Sequence, residues 1–281
     1  MSDENKRTAA DVVADLCGDP SIAKEVKEKM SNLIQWPRAQ YWDKPWNPMS
    51  GCKHCSPACD NCYARELFVT RFNKSFTPGE TKQQNPPTKG VVFVGNATDL
   101  FGEWMDVQQI WAYFSKLWHF TRDGSPRPND ATYLFCTKRT RMLCEALRNY
   151  TLMPHCYFGF TAENQEWYDA RCTDMALANA NPGANYWLSA EPLLGPIDLN
   201  LDSHGMPPFK WVATGCESGP KRRPCKIEWI ESIVDQCLTA EVPVFVKQLD
   251  LNGKCERDIT KFPKHLQIRQ VPWATTKEGT K

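Results

Sequence analysis

Short, continuous apolar runs recur through the chain: Val91-Val92-Phe93-Val94, Thr132-Tyr133-Leu134-Phe135, His155-Cys156-Tyr157-Phe158-Gly159-Phe160, Tyr186-Trp187-Leu188, Trp211-Val212-Ala213 and Val244-Phe245-Val246. Runs this short, without polar alternation, predict strands buried on both faces, as in a parallel sheet. Longer stretches of helical periodicity lie between most of them, over residues 107–120, 141–149, 165–180 and 227–240. Strand alternating with helix predicts right-handed crossovers and one parallel sheet. An extended aromatic stretch over 41–47 supplies a first strand. That makes about seven units, close to a full (β/α) barrel.

Each apolar run gives way at once to polar residues. The tails are Gly95-Asn96-Ala97-Thr98-Asp99, Thr137-Lys138-Arg139, Thr161-Ala162-Glu163-Asn164, Ser189-Ala190-Glu191-Pro192, Thr214-Gly215-Cys216-Glu217-Ser218 and Lys247-Gln248. In a parallel barrel the carboxyl ends of the strands converge on one mouth, where the active site sits. Six successive polar tails therefore predict one shared site.

The flanks read differently. Residues 1–8 are polar and expected to fray. From Ala9 to Leu33 the apolar positions fall at helical spacing, broken at Gly18-Asp19-Pro20. Residues 73–89 are rich in Pro, Thr, Gln and Lys and read as a surface loop. The expected organisation is an N-terminal helical extension over 1–35, an α/β parallel (β/α) barrel over 36–250, full or partial and TIM-like, and a C-terminal tail over 251–281. With 281 residues, one barrel of about 250 residues plus extensions fits the length.

Composition narrows the class only a little. Hydrophobic residues make up 41% and charged residues 24%, enough for a sizeable core. A net charge of +1 neither demands nor excludes a polyanionic partner, so any nucleic-acid contact needs a local basic patch. No apolar run approaches the ~18 residues of a membrane span, and no signal-peptide pattern is present. The expectation is a cytoplasmic protein without a membrane partner.

Candidate chemistry concentrates in Pro48-Met49-Ser50-Gly51-Cys52-Lys53-His54-Cys55-Ser56-Pro57-Ala58-Cys59-Asp60-Asn61-Cys62-Tyr63-Ala64. Four of the thirteen cysteines lie between Cys52 and Cys62. Thiolates at that density suit a soft metal centre. Cys55-x3-Cys59-x2-Cys62 has the spacing of a radical S-adenosylmethionine (SAM) cluster loop, and Cys52-x6-Cys59-x2-Cys62 is a looser version of it. Three thiolates on a cubane cluster leave one iron open for chemistry. A four-sulfur zinc knot is the rival, although zinc pairs are usually about twelve or more residues apart and here three intervene. A disulfide fits poorly with cysteines scattered through a chain of this kind.

With loop and strand tails together, the chain resembles the phage Gp37/Gp68 (DUF5131-type) family, a radical-SAM-like group with three motif cysteines. The resemblance rests on residues 46–52 and 59–64, Val94 to Phe101, Thr137-Lys138-Arg139, Glu163-Asn164-Gln165, Glu191 to Leu199, Gly215 to Pro220 and Val246-Lys247-Gln248. The family's three cysteines fall on Cys52, Cys59 and Cys62. Cys55 and Cys216 depart from its pattern, so Cys55 stands as the alternative third ligand and Cys216 as an added thiol near the mouth.

The resemblance implies a [4Fe-4S] cluster that cleaves SAM to a 5′-deoxyadenosyl radical, fed by an external electron donor of flavodoxin or ferredoxin type. It implies SAM contacts from Asn96, Asp99, Lys138, Arg139, Glu163, Asn164, Glu191, Glu217 and Ser218, with Arg222 a further candidate for the SAM carboxylate and Gln248 a weaker one. Glu191, Glu217 and Lys247 are the implied catalytic groups. A nucleic-acid base or nucleotide is the expected substrate, in a bacterial or phage-infected host cell. Lys221-Arg222-Arg223 would then carry positive charge for phosphate. The alternative is a non-catalytic zinc- or iron–sulfur-bearing protein that binds nucleic acid.

Overall fold

Strands buried on both faces need a layer on each side of their sheet, and this chain supplies both. The computed structural model describes residues 33–275, except 121, 124, 149, 151–152 and 201–208. Eight strands form the main sheet: β1 Lys44–Trp46, β2 Lys89–Val94, β3 Asp130–Thr137, β4 Cys156–Thr161, β5 Asn185–Ala190, β6 Trp211–Gly215, β7 Val244–Leu251 and β8 Lys254–Glu256. Their order across the sheet is their order along the chain. β1 to β7 are parallel, and β8 turns back antiparallel on β7.

The helices are α1 Tyr63–Glu66, extended by a π turn over Leu67–Arg71, α2 Val107–Ser115, α3 Thr140–Arg148, α4 Gln165–Leu177 and α5 Ile227–Thr239. The expected α/β class and largely parallel sheet are therefore found. The ladder runs from β1 to β8 without joining its ends, so a closed TIM barrel does not form among the described strands.

The sheet curls around one ring. Tyr41, just before β1, meets Phe93 of β2 at 6.2 Å, Trp187 of β5 at 6.0 Å, Trp211 of β6 at 4.9 Å and Phe245 of β7 at 5.4 Å. Strands from opposite ends of a sheet reach one side chain only if the sheet bends. Trp187 lies so close to β4 that a Cβ on Gly159 would sit 2.2 Å from its ring. The same indole donates to the Phe135 carbonyl at 2.9 Å, which fixes its pose. On the convex face a larger apolar cluster, including Phe114, Leu143, Met175 and Ile233, joins the strands to α2–α5.

Two expectations need correction. Residues 251–275 are not a tail: β8 extends the sheet, and Gln270–Thr275 pairs with Leu33–Gln35 beneath the concave face, while 276–281 lie outside the described residues. Trp211 donates to the Gln270 carbonyl at 2.8 Å, and Trp273 packs on Trp211 at 4.8 Å. The helix expected over 107–120 stops at Ser115. Asn129 then binds the carbonyls of Lys116 and Leu117, and Trp118–Phe120 enters a hairpin with Pro126–Pro128. The N-terminal helical extension lies outside the described residues, apart from Leu33–Gln35, which is a strand.

Gly159→Ala should lower stability by about 1–3 kcal/mol, because the new methyl must displace a locked indole. Gly79, where a Cβ meets nothing within 4 Å, provides the control. Thermal and urea unfolding of the two variants should separate them, with Gly79→Ala close to wild type.

Candidate active site at the mouth of the sheet

All six polar strand tails reach one cavity of about 700 Å³ at the carboxyl ends of the strands, and the cysteine loop forms part of its wall. The loop is placed by backbone geometry first. Gly51 has φ +81°, and a Cβ there would lie 2.1 Å from the Thr77 carbonyl oxygen, so only glycine passes. Its amide donates to the Ala97 carbonyl at 3.1 Å, and the Gly51 carbonyl accepts from the Thr98 hydroxyl at 2.7 Å. These bonds tie the loop to the tail of β2.

Two buried carboxylates hold the far side of the loop. Glu163 Oε1 accepts from the Ala58 amide at 3.2 Å, while its Oε2 pairs with Arg171 at 2.6 Å. Glu217 accepts from Asn61 Nδ2 at 2.9 Å and takes a two-pronged contact from Arg223, at 2.5 and 3.0 Å. Arg223 also reaches Asp60 at 3.1 Å and the Pro57 carbonyl at 2.9 Å, so its guanidinium staples the loop to the tail of β6.

Of the four loop thiols, Cys52, Cys59 and Cys62 line the cavity and Cys55 does not. Cys55 lies 3.9 Å from Cys59, sulfur to sulfur. Donation from Cys55 holds the Cys59 thiol well below its usual range against burial, with Lys138 adding to the effect. Burial, and then Asp99, push Cys52 up to about 11, opposed by Arg139. Arg139 Nη1 is 3.9 Å from the Cys52 sulfur. All described cysteines are free thiols. Among the described residues, no three His, Cys, Asp or Glu side chains converge on a point that a single metal ion would fill.

The expected ligand-binding residues divide into two groups. Asp99 lines the cavity, but its oxygens already accept from Phe101 N, Thr137 Oγ1, Lys138 N and Arg139 Nη1, at 2.7–3.0 Å. Arg139 is likewise spent on Asp99, Glu103 and the Lys53 carbonyl, and lies 4.8 Å over the Trp104 ring. Glu217 reaches the cavity with its lone pairs committed. Asn96 Oδ1 accepts from Asn47 at 2.7 Å, and its carbonyl accepts from the Tyr63 hydroxyl.

Glu163 and Asn164 are off the cavity altogether. Glu163 has no exposed surface, and Asn164 caps α4 by accepting from Trp167 N at 3.1 Å. The basic turn expected to meet phosphate is also largely used. Arg222 pairs with Asp250 at 2.8 Å and Arg223 with Glu217, which leaves Lys221 exposed.

The second group retains capacity. Glu191 Oε2 takes Lys247 Nζ at 2.8 Å, while its Oε1 is buried without a partner. Lys138 lines the cavity, and no described residue accepts from its ammonium; burial works against that charge, but Cys59 and Cys136 hold its pKa up. Ser218 and Gln248 share the wall. Lys247 lies 5.4 Å over Tyr41 and 5.6 Å over Trp42.

Sequence reasoning missed Arg257, which joins this wall and donates to Gln248 Oε1 at 2.9 Å. Its position in the stretch read as a tail gave no signal. The aromatic side chains Trp42 and Phe93, 5.0 Å apart on the wall, were read only as strand residues.

The clamps on the loop carry two expectations. Burial raises Glu163 and Glu217, but Arg171 for the first, and Arg223 with Asn61 for the second, bring both below the ordinary glutamate value. A carboxyl lowered in the fold stabilises above its unfolded value, near ~4.3, and that contribution is lost as pH falls through the folded value. The loop should hold from neutral pH to about 5 and loosen below about 4. Reaction of the buried Cys59 with an acid-active pyridyl disulfide reports that loosening. Separately, Arg171→Met strands a buried carboxylate and should cost about 3–5 kcal/mol, whereas Arg141→Met, on an exposed pair, should stay within about 0.5 kcal/mol.

No curated protein and no solved structure matches the chain. The family model described as Protein of unknown function (DUF5131) matches residues 37–272, from the approach to β1 into the strand Gln270–Thr275. The chain therefore belongs to the DUF5131 family.

Proposed function

We propose that this protein is a radical SAM enzyme that holds a [4Fe-4S] cluster through Cys52, Cys59 and Cys62 and acts on a nucleic-acid base or nucleotide. The observation that carries the reading is the donor set: three thiols on one cavity, beside an unpartnered Glu191 oxygen and the Lys138 ammonium. Soft thiolates fit iron–sulfur chemistry, and three of them leave one iron open. The open parallel sheet, read as a partial TIM-like barrel, puts this set at the end where such folds work.

Cys52, Cys59 and Cys62 would hold the cluster, which would supply reductive cleavage of SAM there. The chain's own side chains bind and orient. Cys55 favours the thiolate form of Cys59, and Arg139 offsets charge at Cys52. Lys138, whose ammonium no described residue engages, is offered to a carboxylate. Glu191 Oε1 is the acceptor left for an ammonium or a ribose hydroxyl, and Lys247 fixes its orientation. Trp42 and Phe93 offer partly exposed ring faces for a base, with Arg257 and Lys247 nearby for phosphate. Asp99, Arg139, Glu163, Asn164 and Glu217 support the wall. A flavodoxin- or ferredoxin-type donor and a cytoplasmic setting complete the proposal.

A radical is best made once substrate has excluded water, so SAM cleavage should depend on substrate. Anaerobically reconstituted, dithionite-reduced protein should form 5′-deoxyadenosine slowly alone and faster with DNA or nucleotides. Glu191→Gln should weaken SAM binding about tenfold, or about 1.4 kcal/mol, at an unchanged melting temperature. No product from protein with a full cluster would sink the radical SAM reading. Product indifferent to every nucleic acid tried would remove the substrate assignment alone.

A further inference from the structure

Large apolar side chains are seldom exposed on this surface. Among the described residues four are, and three of them, Tyr63, Val69 and Phe72, stand 49–52% open on the short helical segment that follows Cys62. The fourth, Leu177, lies apart at the end of α4. An apolar cluster beside a substrate cavity marks a contact surface.

The shape of this surface comes from an irregular helix. α1 passes into a π turn, where the Phe72 amide donates to the Leu67 carbonyl at 3.1 Å. Single π turns are rare and gather at functional sites. Asn73, at φ +48°, then reverses the chain, and the Lys74 amide closes on the Phe68 carbonyl at 2.8 Å. The reversal brings Phe76 back against Phe68. Three rings therefore stand in file: Phe72 lies 5.9 Å from Phe68, and Phe68 lies 5.4 Å from Phe76. Phe72 is on the outer surface. Phe76 lines the cavity, and its carbonyl accepts from the Cys52 amide at 3.2 Å. The file thus runs from solvent to the wall of the cavity.

Positive charge accompanies the rings. From Tyr63 to Phe76 the chain carries Arg65, Arg71 and Lys74 against a single acid, Glu66. None of the three cations has an ion-pair partner among the described residues. Glu66 is directed to the turn after β6, its Oε2 lying 3.9 Å from the place that a Cβ on Gly219 would take.

We propose that this ridge of rings and cations binds single-stranded nucleic acid and leads it into the cavity, so that the substrate is a base within a strand and not a free nucleotide. The assignment rests on the nucleic-acid half of the proposed function and needs neither cluster nor SAM. Bases offer flat apolar faces and every nucleotide carries a phosphate, so rings interleaved with unpaired Arg and Lys match both. The strand is single because a base inside a duplex is stacked and cannot enter a cavity. A protein interface gathers its apolar side chains into a charge-poor core, whereas here cations alternate with them along the chain.

The test measures binding of fluorescein-labelled oligothymidylates of graded length to the full chain, without SAM or reductant. Affinity should rise with length to about 4–6 nucleotides and then level off, with a duplex of equal length bound about tenfold more weakly. Phe72→Ala should weaken the longer strands about tenfold, and Leu177→Ala should change nothing. Arg71→Gln combined with Lys74→Gln should lower the slope of log K against log salt by about 1.4, since each single-strand phosphate contact contributes about 0.7. These are surface changes, so melting temperatures should match the wild type. Equal affinity for a dinucleotide and a long strand, or a wild-type salt slope in the double variant, would overturn the proposal. So would ridge variants that bind strands normally but accept electrons slowly from a flavodoxin-type donor, a result that would give this face to a protein. SAM cleavage is not read here, so nucleotide-stimulated 5′-deoxyadenosine formation would stand even where strand binding failed.

Discussion

The site depends on two arginine–carboxylate pairs that pin an irregular loop to regular strands. A loop dense in sulfur and turn residues has little apolar surface to bury and cannot order itself by packing. Glu163 holds it through the Ala58 amide, and Glu217 holds it through Asn61. Each carboxylate is matched by an arginine close in sequence, Arg171 on α4 and Arg223 after β6. Buried pairs of this kind add little net stability, since desolvation offsets much of the Coulomb attraction. Their value is positional, because losing one partner strands a charge that the fold must then expel.

The second constraint is aromatic. Tyr41, Trp187, Trp211 and Phe245 fill the concave side of the sheet, and Gly159 gives up its side chain so that Trp187 fits. This filling sets how far the strand ends converge, and hence how wide the cavity opens above it. Tyr41 belongs to both regions, since its ring also lies beneath Lys247, the partner of Glu191. Packing below and charge placement above are therefore coupled through one side chain.

The repeating apolar runs made the parallel sheet legible, because a strand buried on both faces has no other pattern to show. The polar tails marked the mouth for the same geometric reason. What the sequence did not reveal was which charges were already spent. Glu163 and Glu217 looked like free acids beside a ligand, since their arginines become partners only once α4 and the 217–223 turn are folded. Lys221-Arg222-Arg223 looked like a phosphate patch, but two of its three charges are turned inward to Asp250 and Glu217. Arg257 lay in a polar stretch after the last apolar run, and only the β7–β8 hairpin brings it back over the cavity. Cys55 and Cys52 could not be told apart by spacing, whereas in the fold one lines the cavity and the other donates to Cys59.

That distinction leads to the central claim, that three thiols of the loop and not four hold an iron–sulfur cluster. Iron and sulfide should be counted after anaerobic reconstitution of the wild type and of four single alanine variants. The account predicts about four iron per chain in the wild type and in Cys55→Ala, with loss of the cluster in Cys52→Ala, Cys59→Ala and Cys62→Ala. Cluster retained in Cys52→Ala and lost in Cys55→Ala would contradict it, as would a colourless wild type carrying stoichiometric zinc.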